Sequence, residues 1–232
     1  RVSSGTVPVE CPRSYTSRMR SRLVRPLALI LFTLSLSTSP GARAEPDWSR
    51  FRGPNGSGIS TATNVPIEFG PQKNLLWRLP LPGGHSSPIL LNDRIYLTAY
   101  RADTLVTMAI DRLKGTILWE RSAPKVPTKV VDKRNNPASP SPAVEANGIY
   151  VFFPDYGLIA YDAAGKERWS MPLGPFNNIY GMGASPVIVG DLLVLACDQS
   201  LGSYLMALDK RTGTVRWKVD RKSTFPRTFS FA

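Results

Sequence analysis

From residue 86 onward the chain alternates short apolar runs with polar turn clusters, and the alternation recurs. Apolar or β-branched runs lie at Arg94–Tyr100, Ile149–Phe153 and Leu192–Cys197. Each follows a phrase that begins Ser-Pro: Ser87-Pro88-Ile89-Leu90-Leu91-Asn92-Asp93, Ser141-Pro142-Ala143-Val144-Glu145-Ala146-Asn147-Gly148 and Ser185-Pro186-Val187-Ile188-Val189-Gly190-Asp191. About twenty residues further on comes a second phrase. It reads Ala109-Ile110-Asp111-Arg112-Leu113-Lys114-Gly115-Thr116-Ile117-Leu118-Trp119, then Ala160-Tyr161-Asp162-Ala163-Ala164-Gly165-Lys166-Glu167-Arg168-Trp169, then Ala207-Leu208-Asp209-Lys210-Arg211-Thr212-Gly213-Thr214-Val215-Arg216-Trp217. Four tryptophans, Trp77, Trp119, Trp169 and Trp217, are spaced 42, 50 and 48 residues apart. A period of this length with several short strands per unit predicts an all-β fold of the β-propeller type.

Each unit is predicted to be a four-stranded meander; in the first, the strands fall at about 86–91, 94–100, 104–111 and 116–122. Asn92-Asp93, Asn147-Gly148 and Gly190-Asp191 supply residues that tolerate positive φ in tight hairpins. Asp111, Asp162 and Asp209 are placed to accept turn amides, with Gly115, Gly165 and Gly213 in the left-handed position. Proline is tolerated at the start of a first strand, where no ladder donor is required. The tryptophans fall on outer strands, where a flat ring can cover the seam between blades. Blades are expected at about 85–123, 139–172 and 184–220.

Charge changes the picture once its distribution is considered. The 232 residues carry 29 Lys+Arg and 17 Asp+Glu, a net charge of +12. Met19-Arg20-Ser21-Arg22-Leu23-Val24-Arg25 is basic; an apolar run from Leu27 to Leu36 follows, then Ser37-Thr38-Ser39-Pro40-Gly41 and Ala42-Arg43-Ala44. That order predicts a secretory signal peptide over 19–44, cleaved after Ala44. The apolar run is too short to cross ~30 Å of hydrocarbon, so no membrane span is expected after cleavage. Residues 1–18 are read as translated sequence upstream of the start. Without residues 1–44 the charged totals fall to 22 and 16. The remaining excess is mild, and Lys125, Lys129, Lys133 and Arg134 lie in a Pro-containing loop, which argues against a nucleic-acid partner. Cleavage also removes Cys11 and leaves Cys197 in an apolar strand, as a buried inert thiol. A periplasmic or extracellular location is expected.

The phrases Ala-x-Asp-x-x-(x)-Gly-x-x-x-Trp with Ser-Pro upstream resemble quinoprotein-type propeller repeats. That family contains the pyrroloquinoline-quinone (PQQ) dehydrogenases and the barrel-assembly lipoprotein of the outer membrane. Trp48-Ser49-Arg50-Phe51-Arg52-Gly53-Pro54-Asn55-Gly56 is similar to the opening of exported PQQ-repeat proteins. So are Gly84-His85-Ser86-Ser87-Pro88, Asn135-Asn136-Pro137-Ala138-Ser139-Pro140-Ser141-Pro142 and Gly174-Pro175-Phe176-Asn177-Asn178-Ile179-Tyr180-Gly181-Met182-Gly183. The resemblance implies a partial propeller of about three four-stranded blades over 74–232, a fragment of a seven- or eight-bladed ring. It is preceded by an extended segment at 45–73, and residues 74–80 serve as the outer strand that closes the last blade.

In propellers, ligands bind near the axis, at the loops that feed the inner strands. Those loops offer His85, Asn135, Asn136, Asn177, Asn178, Tyr180 and Arg227 as candidate binding residues; Asn and Gly in such loops also shape turns. The resemblance implies PQQ with calcium as a possible cofactor, and the dehydrogenases add a carboxylate base and an adjacent cysteine pair. No Cys-Cys pair occurs here and no metal-ligand set stands out, so neither a cofactor nor a catalytic residue is assigned. Glu45, not a cysteine, stands directly after Ala44, which weakens the lipoprotein comparison. The reading favoured is an exported non-catalytic binding or scaffold module with a protein or carbohydrate ligand. The alternatives are a PQQ-dependent alcohol or sugar dehydrogenase and an outer-membrane assembly factor.

Overall fold

A computed structural model describes residues 47–127 and 132–222. The leader expected at 1–44, Lys129 and Arg227 lie outside the described residues. Among the described residues, twelve strands form three separate four-stranded antiparallel sheets, each a simple meander. Blade 1 holds β1 (Ile89–Leu91), β2 (Arg94–Arg101), β3 (Thr104–Asp111) and β4 (Ile117–Ser122). Blade 2 holds β5 (Ala143–Glu145), β6 (Gly148–Phe153), β7 (Gly157–Tyr161) and β8 (Glu167–Pro172). Blade 3 holds β9 (Val187–Val189), β10 (Leu192–Cys197), β11 (Tyr204–Asp209) and β12 (Val215–Asp220). The inner strands β1, β5 and β9 are successive neighbours, so the sheets fan out from one axis.

The Asp–Gly phrase forms the same hairpin three times. Asp111 Oδ1 accepts the amides of Leu113 and Lys114 at 2.9 and 2.8 Å. Asp162 Oδ1 accepts those of Ala164 and Lys166, and Asp209 Oδ1 those of Arg211 and Thr212. Gly115, Gly165 and Gly213 have φ of 66°, 76° and 73°. One strand pair further in, the fully buried Ala109, Ala160 and Ala207 stand opposite Trp119, Trp169 and Trp217, each beside a shift in register.

The first hairpins follow the expectation in two blades. Asn92 and Gly190 take φ of 52° and 57°. In blade 2, however, Glu145 pairs with Gly148, so the turn falls on Ala146–Asn147 and not on Asn147-Gly148. Gly148 is needed for space instead: a Cβ there would lie 2.5 Å from the Tyr150 hydroxyl.

Packing between sheets explains the apolar runs. Blade 2 is covered on both faces, and β6 and β7 are buried at every residue. Their sequences, GIYVFF and GLIAY, therefore do not alternate, as is usual for strands buried on both sides. Ile89, Tyr96, Trp119, Ile149, Val151 and Ile159 fill the seam between blades 1 and 2. Tyr150, Phe152, Leu158, Leu193, Leu195 and Met206 fill the next. Each seam is latched at the turn edge by an indole. Trp119 Nε1 donates to Ala163 O at 3.1 Å, and Trp169 Nε1 to Lys210 O at 3.0 Å. Trp77 Nε1 donates to Arg112 O of blade 1 at 2.9 Å. Trp77 thus stands to blade 1 as Trp119 stands to blade 2, although residues 74–80 form no ladder among the described residues.

The serine of each Ser-Pro phrase supplies an axial latch. The Ser87 amide donates to Ser141 Oγ at 2.8 Å, and the Ser141 amide to Ser185 Oγ at 2.9 Å. The N-terminal segment runs across these inner strands. Trp48 and Leu90 exchange two backbone bonds of 2.9 Å, and the Val144 amide donates to Ser49 O at 2.8 Å. The free inner edges of blades 1 and 2 are therefore partly paired by residues 48 and 49.

Candidate functional site

Two faces of the fan differ in construction. One carries the short hairpins and the Asp–Gly turns. The other carries the long connections between blades, 123–142 and 173–186, and the turns between second and third strands. On this loop face lies a cavity of about 560 Å3. Its wall is apolar: Pro137, Pro154, Pro172, Pro175, Tyr156 and Phe176 contribute, with Met182 beneath. Phe176 packs edge-on against Phe152 with centroids 5.8 Å apart, which anchors the loop in the core.

Asn136 and Asn178 are the polar candidates that line this cavity. Both also shape their loops: Asn136 Oδ1 accepts the Ala138 amide at 2.8 Å, and Asn178 Oδ1 accepts the Tyr180 amide at 3.0 Å. Asn135 joins the two connections, donating from Nδ2 to Tyr180 O at 2.6 Å. Its Oδ1 accepts the Asn136 amide and the Ser139 hydroxyl. Tyr180 lies under the Arg134 guanidinium, 5.9 Å from the ring centroid. Arg134 also bonds Asp132, and that bond, more than any other influence, holds the Asp132 carboxyl down at about 2. Asn177 is exposed, and its amide donates to Gln199 Oε1 at 2.7 Å, linking the connection to the blade 3 loop. His85 is exposed at the entry to blade 1, where its amide donates to Ala138 O; it is not part of the cavity wall. The structure thus gathers Asn135, Asn136, Asn178 and Tyr180 at one place and leaves His85 apart.

Sequence reasoning missed the apolar wall. Pro154-Asp155-Tyr156 lies between strands, Pro172 at the expected end of blade 2 and Pro175 in the connection after it, and none was a candidate. The density of prolines around Phe176 was the available signal. Cys197 is fully buried, and desolvation pushes its thiol up to about 11, so it is held as the neutral form at ordinary pH.

Calcium takes six to eight oxygen ligands. Among the described residues no group of three or more His, Cys, Asp or Glu converges, and the cavity's amide and carboxylate side chains are Asn136, Asp155 and Asn178, set among proline and aromatic carbon. Three such side chains are fewer than the oxygens of a calcium shell, and no step is derived through a quinone–calcium centre. Among the described residues, no helix is long and apolar enough to cross a membrane.

Three radially arranged meanders, latched by repeated indoles and serines, are blades of a β-propeller. The PQQ-repeat family profile described as outer membrane protein assembly factor BamB matches residues 70–224, and the chain belongs to that family. No curated protein sequence matches it. Among solved structures, the chain is similar to a europium-containing methanol dehydrogenase (18% identity, TM-score 0.49), with 62% of this chain and 26% of that one covered. It is similar also to quinohemoprotein alcohol dehydrogenase ADHIIG from Pseudomonas putida HK5 (22% identity, TM-score 0.47, covering 62% and 22%). A third is BamB from Moraxella catarrhalis (16% identity, TM-score 0.43, covering 63% and 43%). The chain spans less than half the length of each of these structures.

Proposed function

We propose that this chain is the blade region of an exported, non-catalytic PQQ-like propeller that binds a protein partner on its long-loop face. The observation that carries the reading is the composition of the 560 Å3 cavity, which presents proline, Tyr156, Phe176 and Met182 with only a few polar groups. Such walls suit the apolar side chains of a polypeptide, with Asn136 and Asn178 fixing orientation. The family's description as an assembly factor supports a protein over a small substrate. The basic, apolar, small-residue order of 19–44 supports export to the periplasm or beyond.

The test places a photo-crosslinking amino acid at Asn177 on the loop face or at Lys114 on the short-turn face, in the full chain in its native host. Adducts to a defined envelope protein from position 177 and none from 114 are expected. Dye reduction by the purified protein given PQQ, calcium and alcohols or sugars would instead establish the dehydrogenase and overturn the reading.

A further inference from the structure

The loop-face cavity sits over blade 2, between the two connections that flank it, and lies away from the open side of blade 3. The chemistry of its wall narrows which segment of the proposed protein partner can enter, a step that rests on that reading. Two amide side chains line the cavity, and the oxygen of each is already engaged. Asn136 Oδ1 accepts the Ala138 amide at 2.8 Å, and Asn178 Oδ1 the Tyr180 amide at 3.0 Å. What they still offer an occupant is their Nδ2 donors. Among the described residues that of Asn136 has no acceptor, and that of Asn178 reaches only Met182 Sδ, at 3.8 Å. A thioether is a weak acceptor.

The rest of the wall decides what must lie beside the acceptors of the occupant. Pro154, Pro172 and Pro175 with the rings of Tyr156 and Phe176 give flat apolar surface. Asp155 is the only charged side chain among the described residues of the wall, and the connection 173–186 has none at all. An anionic occupant therefore meets a carboxylate and no cation. A sugar or an ordinary peptide brings O–H or N–H donors with its acceptors, and the two amide oxygens that could take them are committed. Proline is the better complement. Each residue offers a carbonyl acceptor, no N–H and an apolar ring. Consecutive prolines hold a polyproline II helix without internal hydrogen bonds, so the carbonyls stay available and little ordering entropy is lost on docking.

We propose that this cavity binds a proline-rich segment of the partner in the polyproline II conformation. Successive carbonyls accept from Asn136 and Asn178 Nδ2, and pyrrolidine rings rest on Tyr156, Phe176 and the wall prolines. One donor comes from each connection, so a single extended segment crosses from 123–142 to 173–186.

The test is fluorescence anisotropy of the full chain with labelled, end-capped decaproline, challenged by an unlabelled Gly-Ser decapeptide and by galactotriose. Decaproline should bind with submillimolar affinity that salt leaves unchanged, since no charge pair is formed. Neither competitor should displace it at tenfold excess. Asn136→Asp keeps an oxygen for the Ala138 amide and removes the donor, and should weaken decaproline about tenfold. Asn178→Asp should do the same. Asn147→Asp, on the short-turn face, adds the same charge and should leave affinity unchanged, with protection of the buried Cys197 thiol showing that each variant is folded. Failure of decaproline to bind at millimolar concentration overturns the proposal. So does displacement by either competitor, wild-type affinity in both cavity variants, or an equal loss in Asn147→Asp. Envelope-protein adducts from position 177 without decaproline binding overturn this inference alone, whereas dye reduction with PQQ overturns the reading beneath it as well.

Discussion

Trp169 and Trp217 end the same phrase one blade apart, yet they live in different surroundings. Trp169 is half-buried, its Nε1 bonds Lys210 O, and its ring lies where a Cβ on Gly213 would approach to 2.7 Å. Trp217 stands opposite Ala207 in the same register but is 38% exposed, on a strand exposed at every residue. The phrase therefore fixes the strand geometry on its own, while burial of the indole comes from the neighbouring blade. Stability in such a repeat resides in seams as much as in units.

The largest expected effect follows from emptying a filled seam. Trp119 is 8% exposed, lies about 6 Å from the rings of both Tyr96 and Tyr161, and bonds Ala163 O. Trp119→Ala in the full chain should destabilise by about 3–5 kcal/mol, measured by urea unfolding. A loss below 1 kcal/mol would mean that blades 1 and 2 are held by their inner strands and not by this seam.

Two glycines sharpen the comparison because they share a backbone and differ in surroundings. Gly165 (φ 76°) would place a Cβ 2.6 Å from the Trp119 ring, whereas Gly190 (φ 57°) would meet nothing within 4 Å. The left-handed backbone costs an alanine about 1–2 kcal/mol at either position. Gly165→Ala adds a collision with the latch, and should lower the unfolding midpoint well beyond Gly190→Ala. Equal losses would show that the glycines serve only turn conformation.

The positions of Asp, Gly and Trp made this half of the molecule legible in advance, since one hairpin recurs with its own local hydrogen bonds. What the glycine avoids was not legible, because the ring it clears lies about 45 residues earlier in the chain. The serines of the Ser-Pro phrases show the same limit. Their role as strand openers is local, but the bonds from Ser87 to Ser141 and from Ser141 to Ser185 exist only once blades are neighbours. The loop face was legible as a set of polar candidates that also shape turns, and the apolar wall between them was not. Asn136 and Asn178 direct their carbonyl oxygens into their own loops, Asn135 ties one connection to the next, and most of the cavity wall is carbon. The crossing of residues 48 and 49 over the inner strands had no periodic signal at all.

Acid should act on the turn that receives Trp169. Asp209 is held down at about 2, first by its bond with Arg216 at 2.6 Å and then by turn amides. A carboxyl depressed in the folded state stabilises above its unfolded value near 4, and that contribution is lost as pH falls toward 2. Arg216→Ala should therefore reduce stability at pH 7 and flatten its decline between about pH 4 and pH 2. The two melting curves should converge below pH 2. Parallel curves across that range would assign the acid sensitivity to other carboxyls.

The smallest effect is expected at the open edge. Trp217→Ala removes an indole that retains more than a third of its surface in solvent. Exposed substitutions of this kind usually change stability by no more than about 0.5 kcal/mol, and the residual packing raises that only slightly. Trp169→Ala, the same change one blade earlier, should cost several times as much, because it empties a seam and strands the Lys210 carbonyl that the indole served. If Trp217→Ala destabilises this chain as much as Trp169→Ala, the outer indole must stabilise its own blade, and the assignment of its energy to the neighbour is wrong.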